Sequence, residues 1–261
     1  MKNLELNWPR PSSAEWSLGT REVHVWAASL LTAPQRAAAF ALTLSPDEQT
    51  RAGRFLFDRD RSRFVAGRGL LRSILGPYLR QEPGQIKFDY AERGKPSLAC
   101  QTEKEGLHFN LAHSEDLAVF AVCKVCPVGV DVERLRPMKD AEDIAERFFS
   151  ARETAQLKSL PAEQKQAGFF NLWTRKEAWL KATGEGICEM LGEVEVSMLP
   201  GEPARLLSIF KDVRAAAKWT MHDFNPAAGF KAALAVPCPG LQIQCRSWSD
   251  ETFPNLAGDS P

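Results

Sequence analysis

The chain has 261 residues, 44% of them hydrophobic, enough to build a core in one large domain or two of ordinary size. Lysine plus arginine equals aspartate plus glutamate at 33 each, so the formal charge is zero and no global field draws the protein to nucleic acid or to an anionic membrane. Its six cysteines are too few and too scattered for a disulfide scaffold, and neither a secretion signal nor a membrane-spanning apolar run is present, so a soluble cytoplasmic protein is expected.

Alternation at Val23, Val25 and Ala27 predicts a first strand. Ser45-Pro46-Asp47-Glu48 reads as a capping box that starts a helix, and Phe64, Gly67, Leu71, Ile74 and Leu75 recur at helical spacing within a second helix over 60–79, its end weakened by Gly76-Pro77. Short alternating segments at 86–90, 97–100, 107–112 and 117–124, separated by turn-rich stretches such as ERGKP, read as one antiparallel meander. The order then begins again after Pro127. A strand GVDVE precedes a helix near 140–149, a second capping box at Ser150 to Glu153, and a long helix over 163–183 stopped by Gly184 and Gly186. Strands follow near 193–198, 205–210, 216–223 and 230–236.

The expected fold is therefore α+β, with two similar lobes related by a pseudo-twofold axis, each a small, mostly antiparallel sheet packed on a long helix. The active site is expected in the cleft between them. The lobes are placed at 1–126 and 127–250, with 251–261 a flexible tail. Because two lobes in one chain can form the cleft alone, a monomer is expected.

In GVDVE, strand alternation sends Val130 and Val132 one way and Asp131 and Glu133 the other, so two carboxylates stand side by side. Such a pair repels unless a cation intervenes. In WTRKEAWLK, Glu177 and Lys181 share a helix face, where the plain reading is an exposed i,i+4 ion pair. If that helix passes beside the strand, Glu177 supplies a third carboxylate. Such an oxygen-rich site suits magnesium, which keeps waters and takes substrate phosphate oxygens, and it points to phosphoryl transfer. Several arginines between Arg51 and Arg72 offer phosphate clamps, diluted by Asp58 and Asp60. His113 follows a strand-like run in FNLAHSED. Cys123-Lys-Val-Cys126 has the spacing of a redox or zinc pair but no matching second pair, and reads as packed thiols.

FNLAHS, GVDVE and WTRKEAWLKATGEGI, in that order, resemble the signature of the 4′-phosphopantetheinyl transferases, in particular their long, two-lobed, surfactin-type branch. The resemblance spans residues 20–240. It implies magnesium-dependent transfer of the 4′-phosphopantetheine arm of coenzyme A to a serine of an apo acyl or peptidyl carrier protein, with release of 3′,5′-ADP; manganese is a possible substitute. It further implies that Asp131, Glu133 and Glu177 hold the metal. Glu177 is also the candidate base, and Lys181 holds the phosphate or assists the leaving group, so that Asp131, Glu177 and Lys181 form the catalytic set. By the same resemblance His113 contacts the coenzyme A 3′-phosphate, Lys95 and Pro96 lie near the adenine, and Arg59 and Arg72 serve the nucleotide phosphates, with Arg54, Arg63 and Arg68 as alternatives. The N-terminal lobe then binds the nucleotide and the C-terminal lobe carries the metal and catalytic residues. Ala112 stands where many relatives have serine, which removes one expected hydroxyl contact to the nucleotide. The alternative is a non-catalytic module that binds coenzyme A or a carrier protein. A nucleic-acid role finds no basic excess and no reading motif.

Overall fold

The computed structural model describes residues 4–10, 16–91, 94–99, 106–184 and 188–249. The expected tail 251–261, Arg93, Cys100 and Gly186 lie outside the described residues.

The N-terminal half runs β1 (Glu22–Ser29), α1 (Pro34–Thr43), α2 (Pro46–Gly53), α3 (Asp58–Leu79), β2 (Phe88–Tyr90), β3 (Pro96–Leu98), β4 (His108–Ser114) and β5 (Leu117–Cys123). Helix α2 starts on the expected capping box, the Ser45 amide donating to Glu48 Oε2 at 3.1 Å. Helix α3 runs through Gly76-Pro77 to Leu79 and stops where Arg80 turns left-handed, its amide donating to the carbonyls of Gly76 and Pro77. Helix α1 was not expected: in PQRAAAFALT only Phe40 is buried, so the segment carries no apolar period to read.

The C-terminal half runs β6 (Gly129–Arg134), α4 (Ala141–Phe148), α5 (Ala151–Ser159), α6 (Ala162–Thr183), β7 (Val194–Val196), β8 (Leu206–Ile209), α7 (Val213–Ala216), β9 (Thr220–Phe224), β10 (Phe230–Val236) and β11 (Gln242–Ser247). Ser150 Oγ accepts from the Glu153 amide, and Glu153 Oε2 accepts from the Ser150 amide, completing the second capping box. Gly184, at φ 78°, ends α6 with its amide on the Leu180 carbonyl.

Strand pairing departs from the expected single meander. β2 and β3 form their own antiparallel ribbon, whereas β4 and β5 join β1 in a sheet ordered β11-β1-β5-β4. β11, also unexpected, pairs parallel to β1, Glu22 opposite Gln242 and Ala27 opposite Ser247. A second sheet, β6-β10-β9, is antiparallel throughout, and β7 with β8 forms a small ribbon.

Burial explains the layering. On β1, Trp26 and Ala28 pack with Leu70, Leu71, Ile74 and Leu75 of α3, while Val23, Val25 and Ala27 pack with Val130 and Val132 of β6 and Leu234 of β10. The first sheet is thus covered by a helix on one face and by the second sheet on the other, which is why β5 is buried along its whole length. The opposite face of β10 offers Ala233 and Ala235 to Ala178, Leu180 and Ala182 of α6. With its valines committed to the core between the sheets, β6 must present Asp131 and Glu133 toward the α6 side.

Candidate active site

Helix α6 meets β6 at very close range because residue 129 is glycine. A Cβ there would run into the Ala178 carbonyl oxygen and the Ala182 amide nitrogen, so only hydrogen lets the two backbones approach. That approach sets Lys181 beside Asp131, with Nζ donating to Oδ1 at 2.6 Å. The i,i+4 pairing of Lys181 with Glu177 is therefore not the contact the lysine makes.

A pocket of about 920 Å³ opens at this junction. Glu133, Arg136, Glu177 and Lys181 form one side of its wall; Lys95, Pro96, His113 and Ser114 form another. Arg51, Arg63 and Arg68 line the α2–α3 side with Phe55 and Phe64. Asp131 lies beneath, 5% exposed, and its Oδ2 is buried without a hydrogen-bond partner among the described residues.

The electrostatics follow from crowding. Desolvation raises the carboxyl of Asp131 against the pull of Lys181. Desolvation also raises Glu133 and Glu177, and the Asp131 charge pushes both further the same way. Burial would lower Lys181, but the charge and hydrogen bond of Asp131 outweigh it and the ammonium is held above its usual range. Burial lowers His113, helped by the positive charges of Lys181 and Arg63, so its ring is neutral at neutral pH. Lys95 donates to the Lys181 carbonyl and is lowered by burial.

Of the residues singled out from sequence, Lys95, Pro96, His113, Glu133, Glu177 and Lys181 share the pocket wall, with Asp131 below it. Arg72 requires correction. It is 1% exposed, with its guanidinium donating to Glu48 Oε2 and to the carbonyls of Pro83 and Ile86, so it ties α3 to α2 and cannot reach a ligand. Arg59 is exposed beside Asp60 and is not in the pocket wall. Arg51, Arg63 and Arg68 take that side instead, Arg63 bound to Asp116 at 2.7 Å and Arg68 stacked over Phe64 and Tyr90. Ala112 packs into the core between the sheets and is not part of the pocket wall. Lys176, the other lysine of the helix motif, is fully buried on Glu153 Oε2 and the Leu191 carbonyl, both at 2.6 Å, and serves packing. Arg136, Asn110 and Ser114 also line the pocket, and proximity in sequence to Glu133 and His113 is the signal that marks them.

Among the described residues no three His, Cys, Asp or Glu side chains form a ready-made metal cage. The donor set nevertheless fits a hard divalent ion. It consists of carboxylate oxygens, one of them buried without a partner, and their mutual repulsion is what a cation relieves. Magnesium needs only one or two protein carboxylates when phosphate and water complete its shell.

Two sequence profiles match the chain: the 4′-phosphopantetheinyl transferase superfamily over residues 127–235, and the N-terminal region of 4′-phosphopantetheinyl transferase over residues 32–125. The chain is 47% identical to the 4′-phosphopantetheinyl transferase HetI of Nostoc sp. over 240 residues, covering 92% of this chain and 97% of that one. It is 30% identical to the 4′-phosphopantetheinyl transferase Sfp of Bacillus subtilis over 159 residues, 61% of this chain and 68% of that one. It is 26% identical to the human L-aminoadipate-semialdehyde dehydrogenase-phosphopantetheinyl transferase over 226 residues, 82% of this chain and 66% of that one.

Proposed function

Since the chain belongs to the 4′-phosphopantetheinyl transferase superfamily, we propose that its pocket moves the 4′-phosphopantetheine arm of coenzyme A onto a serine of an apo acyl or peptidyl carrier protein. The observation that carries this reading is the meeting of α6 and β6, where Glu133, Glu177 and Lys181 share one pocket wall and Asp131, bound to Lys181, lies beneath it.

In the proposed reaction the carrier's serine oxygen attacks the phosphorus that bears the pantetheine arm. The bond from that phosphorus to the bridging diphosphate oxygen breaks, and 3′,5′-ADP leaves. Glu177 accepts the serine proton, directly or through a water. Lys181, pinned by Asp131 and kept charged, faces the departing phosphate. Asp131, Glu133 and Glu177 would hold magnesium, or manganese in its place. When bound, the ion supplies charge neutralisation on the diphosphate. Because the nucleophile comes from the partner, the enzyme needs only alignment, charge and a proton acceptor.

The nucleotide is assigned to the opposite wall. His113 is neutral and serves as a hydrogen-bond partner for the 3′-phosphate, Lys95 and Pro96 flank the adenine, and Arg51, Arg63 and Arg68 supply the cations first sought at Arg59 and Arg72. This division supports a nucleotide-binding N-terminal lobe and a catalytic C-terminal lobe meeting at the pocket, with β11 of the C-terminal half crossing over to pair with β1. Both walls come from one chain, which supports action as a monomer. No described helix is long and apolar enough to cross a membrane.

The test is a mass measurement on apo carrier proteins incubated with coenzyme A, magnesium and enzyme. A phosphopantetheine adduct is expected, and Asp131→Ala and Glu177→Ala should abolish it. Undiminished transfer by both variants would defeat the metal and base assignments, and tight coenzyme A binding without transfer to any carrier would favour a binding module.

A further inference from the structure

We infer that Ser114 is a positioning residue for Glu133, fixing the carboxylate from the neighbouring lobe so that it is set in the pocket wall before any ion or substrate arrives. The inference rests on the metal reading of the proposed function.

Strands β4 and β6 are neighbours at the edges of two different sheets. Side chains of β4 serve the edge amides of β6: Asn110 Oδ1 accepts from the Val130 amide at 2.9 Å, and Ser114 Oγ accepts from the Arg134 amide at 3.1 Å. Each pair is separated by 20 residues in sequence, and the two contacts lie four residues apart on both strands, so they hold the strands in one parallel register. Asn110 brackets Asp131 from one side and Ser114 reaches the far end, where Glu133 stands.

The hydroxyl of Ser114 has one proton to give. With the Arg134 amide directed at its oxygen, that proton goes to Glu133 Oε2, at 3.0 Å. Glu133 is therefore oriented by a group anchored to its own strand's backbone, not by a mobile surface partner. Arg136, 3.7 Å from the same oxygen, is half exposed and holds it less firmly. The arrangement is that of a ligand held by a second group, whose loss costs 10- to 100-fold in ion affinity where such partners have been removed.

The test is Mn2+ binding in the presence of coenzyme A, followed by electron paramagnetic resonance of the free ion, with no carrier protein and no turnover. Ser114→Ala is expected to weaken Mn2+ binding by about tenfold, with the circular dichroism spectrum retained. Ser114→Thr, which keeps the hydroxyl, should restore it. Ser114→Cys, nearly isosteric but a poor donor, should bind as weakly as the alanine variant and replaces it if alanine disturbs folding. Wild-type affinity in the alanine or cysteine variant, or failure of threonine to restore it, overturns the positioning role. A wild-type protein that binds no Mn2+ at all overturns the metal reading, and this inference with it.

Discussion

Glu177 works against the stability of the fold that carries it. Desolvation and the Asp131 charge raise its proton affinity, so the ionised form is disfavoured in the folded protein. A carboxyl raised in this way favours the fold below its unfolded value near 4.5, and that contribution is lost as pH rises through the higher folded value. Glu177→Gln should therefore abolish transfer yet melt about 2–4 °C higher than wild type at pH 8 with chelator present, the shift expected for ~1 kcal/mol in a chain of this size. The gain should vanish below pH 4.5, and equal melting temperatures at pH 8 would contradict the electrostatic account. Helical and strand periodicity put Glu177 with Lys181, and Asp131 with Glu133, on shared faces; the resemblance supplied the roles proposed for them. Neither decided between the arginines. Arg68 and Arg72 lie one helical turn apart on α3 and both reach Glu48; they differ in that the carbonyls of Pro83 and Ile86 also hold Arg72, whereas Arg68 lines the pocket.

At the scale of elements, the site is a contact between one strand and one helix, and Gly129 sets its spacing. Gly129→Ala should push β6 away from α6, costing about 1–3 kcal/mol, as small-to-large changes in packed interiors do. It should slow transfer at least tenfold by separating Asp131 from Lys181, out of proportion to the folding loss at working temperature. Urea titration beside the mass assay measures both effects, and a destabilised variant with wild-type turnover would show that this spacing does not govern the chemistry. The helix starts at Ser45 and Ser150 were legible because a capping box is local, made by residues three apart. The sheets were less so. Four strand-like segments in succession suggested one meander, but hydrogen-bonding partners are chosen by tertiary packing, which put β1 against β5 and left β2 and β3 as a separate ribbon.

For the whole molecule, the decisive connection is between the chain's two ends, where β11 lies parallel to β1. His24 sits at that seam, fully buried, its Nδ1 2.6 Å from the Tyr78 hydroxyl and its Nε2 3.3 Å from Arg246 of β11. Burial and the Arg246 charge pull its pKa down to about 4, against the opposing influence of Glu22. Between about 6.5 and about 4 the unfolded chain thus takes up a proton that the folded chain refuses, so stability falls as pH falls through that window. From pH 7 to pH 5 the wild type should lose about 2 kcal/mol more than His24→Gln, read from urea unfolding at both pH values. Parallel losses in the two proteins would remove His24 as the cause.

Sequence by itself determined the helix boundaries set by capping residues, the face on which each acid or lysine of the two motifs stands, and the family those motifs resemble. These are consequences of local periodicity and of residue identity. Tertiary structure alone decided that Lys181 answers Asp131 and not Glu177, that Arg72 is enclosed while Arg51, Arg63 and Arg68 line the pocket, and that β11 completes the first sheet. Such choices depend on which groups lose water together, and segments far apart in the chain meet only when the sheets and α6 have closed on one another.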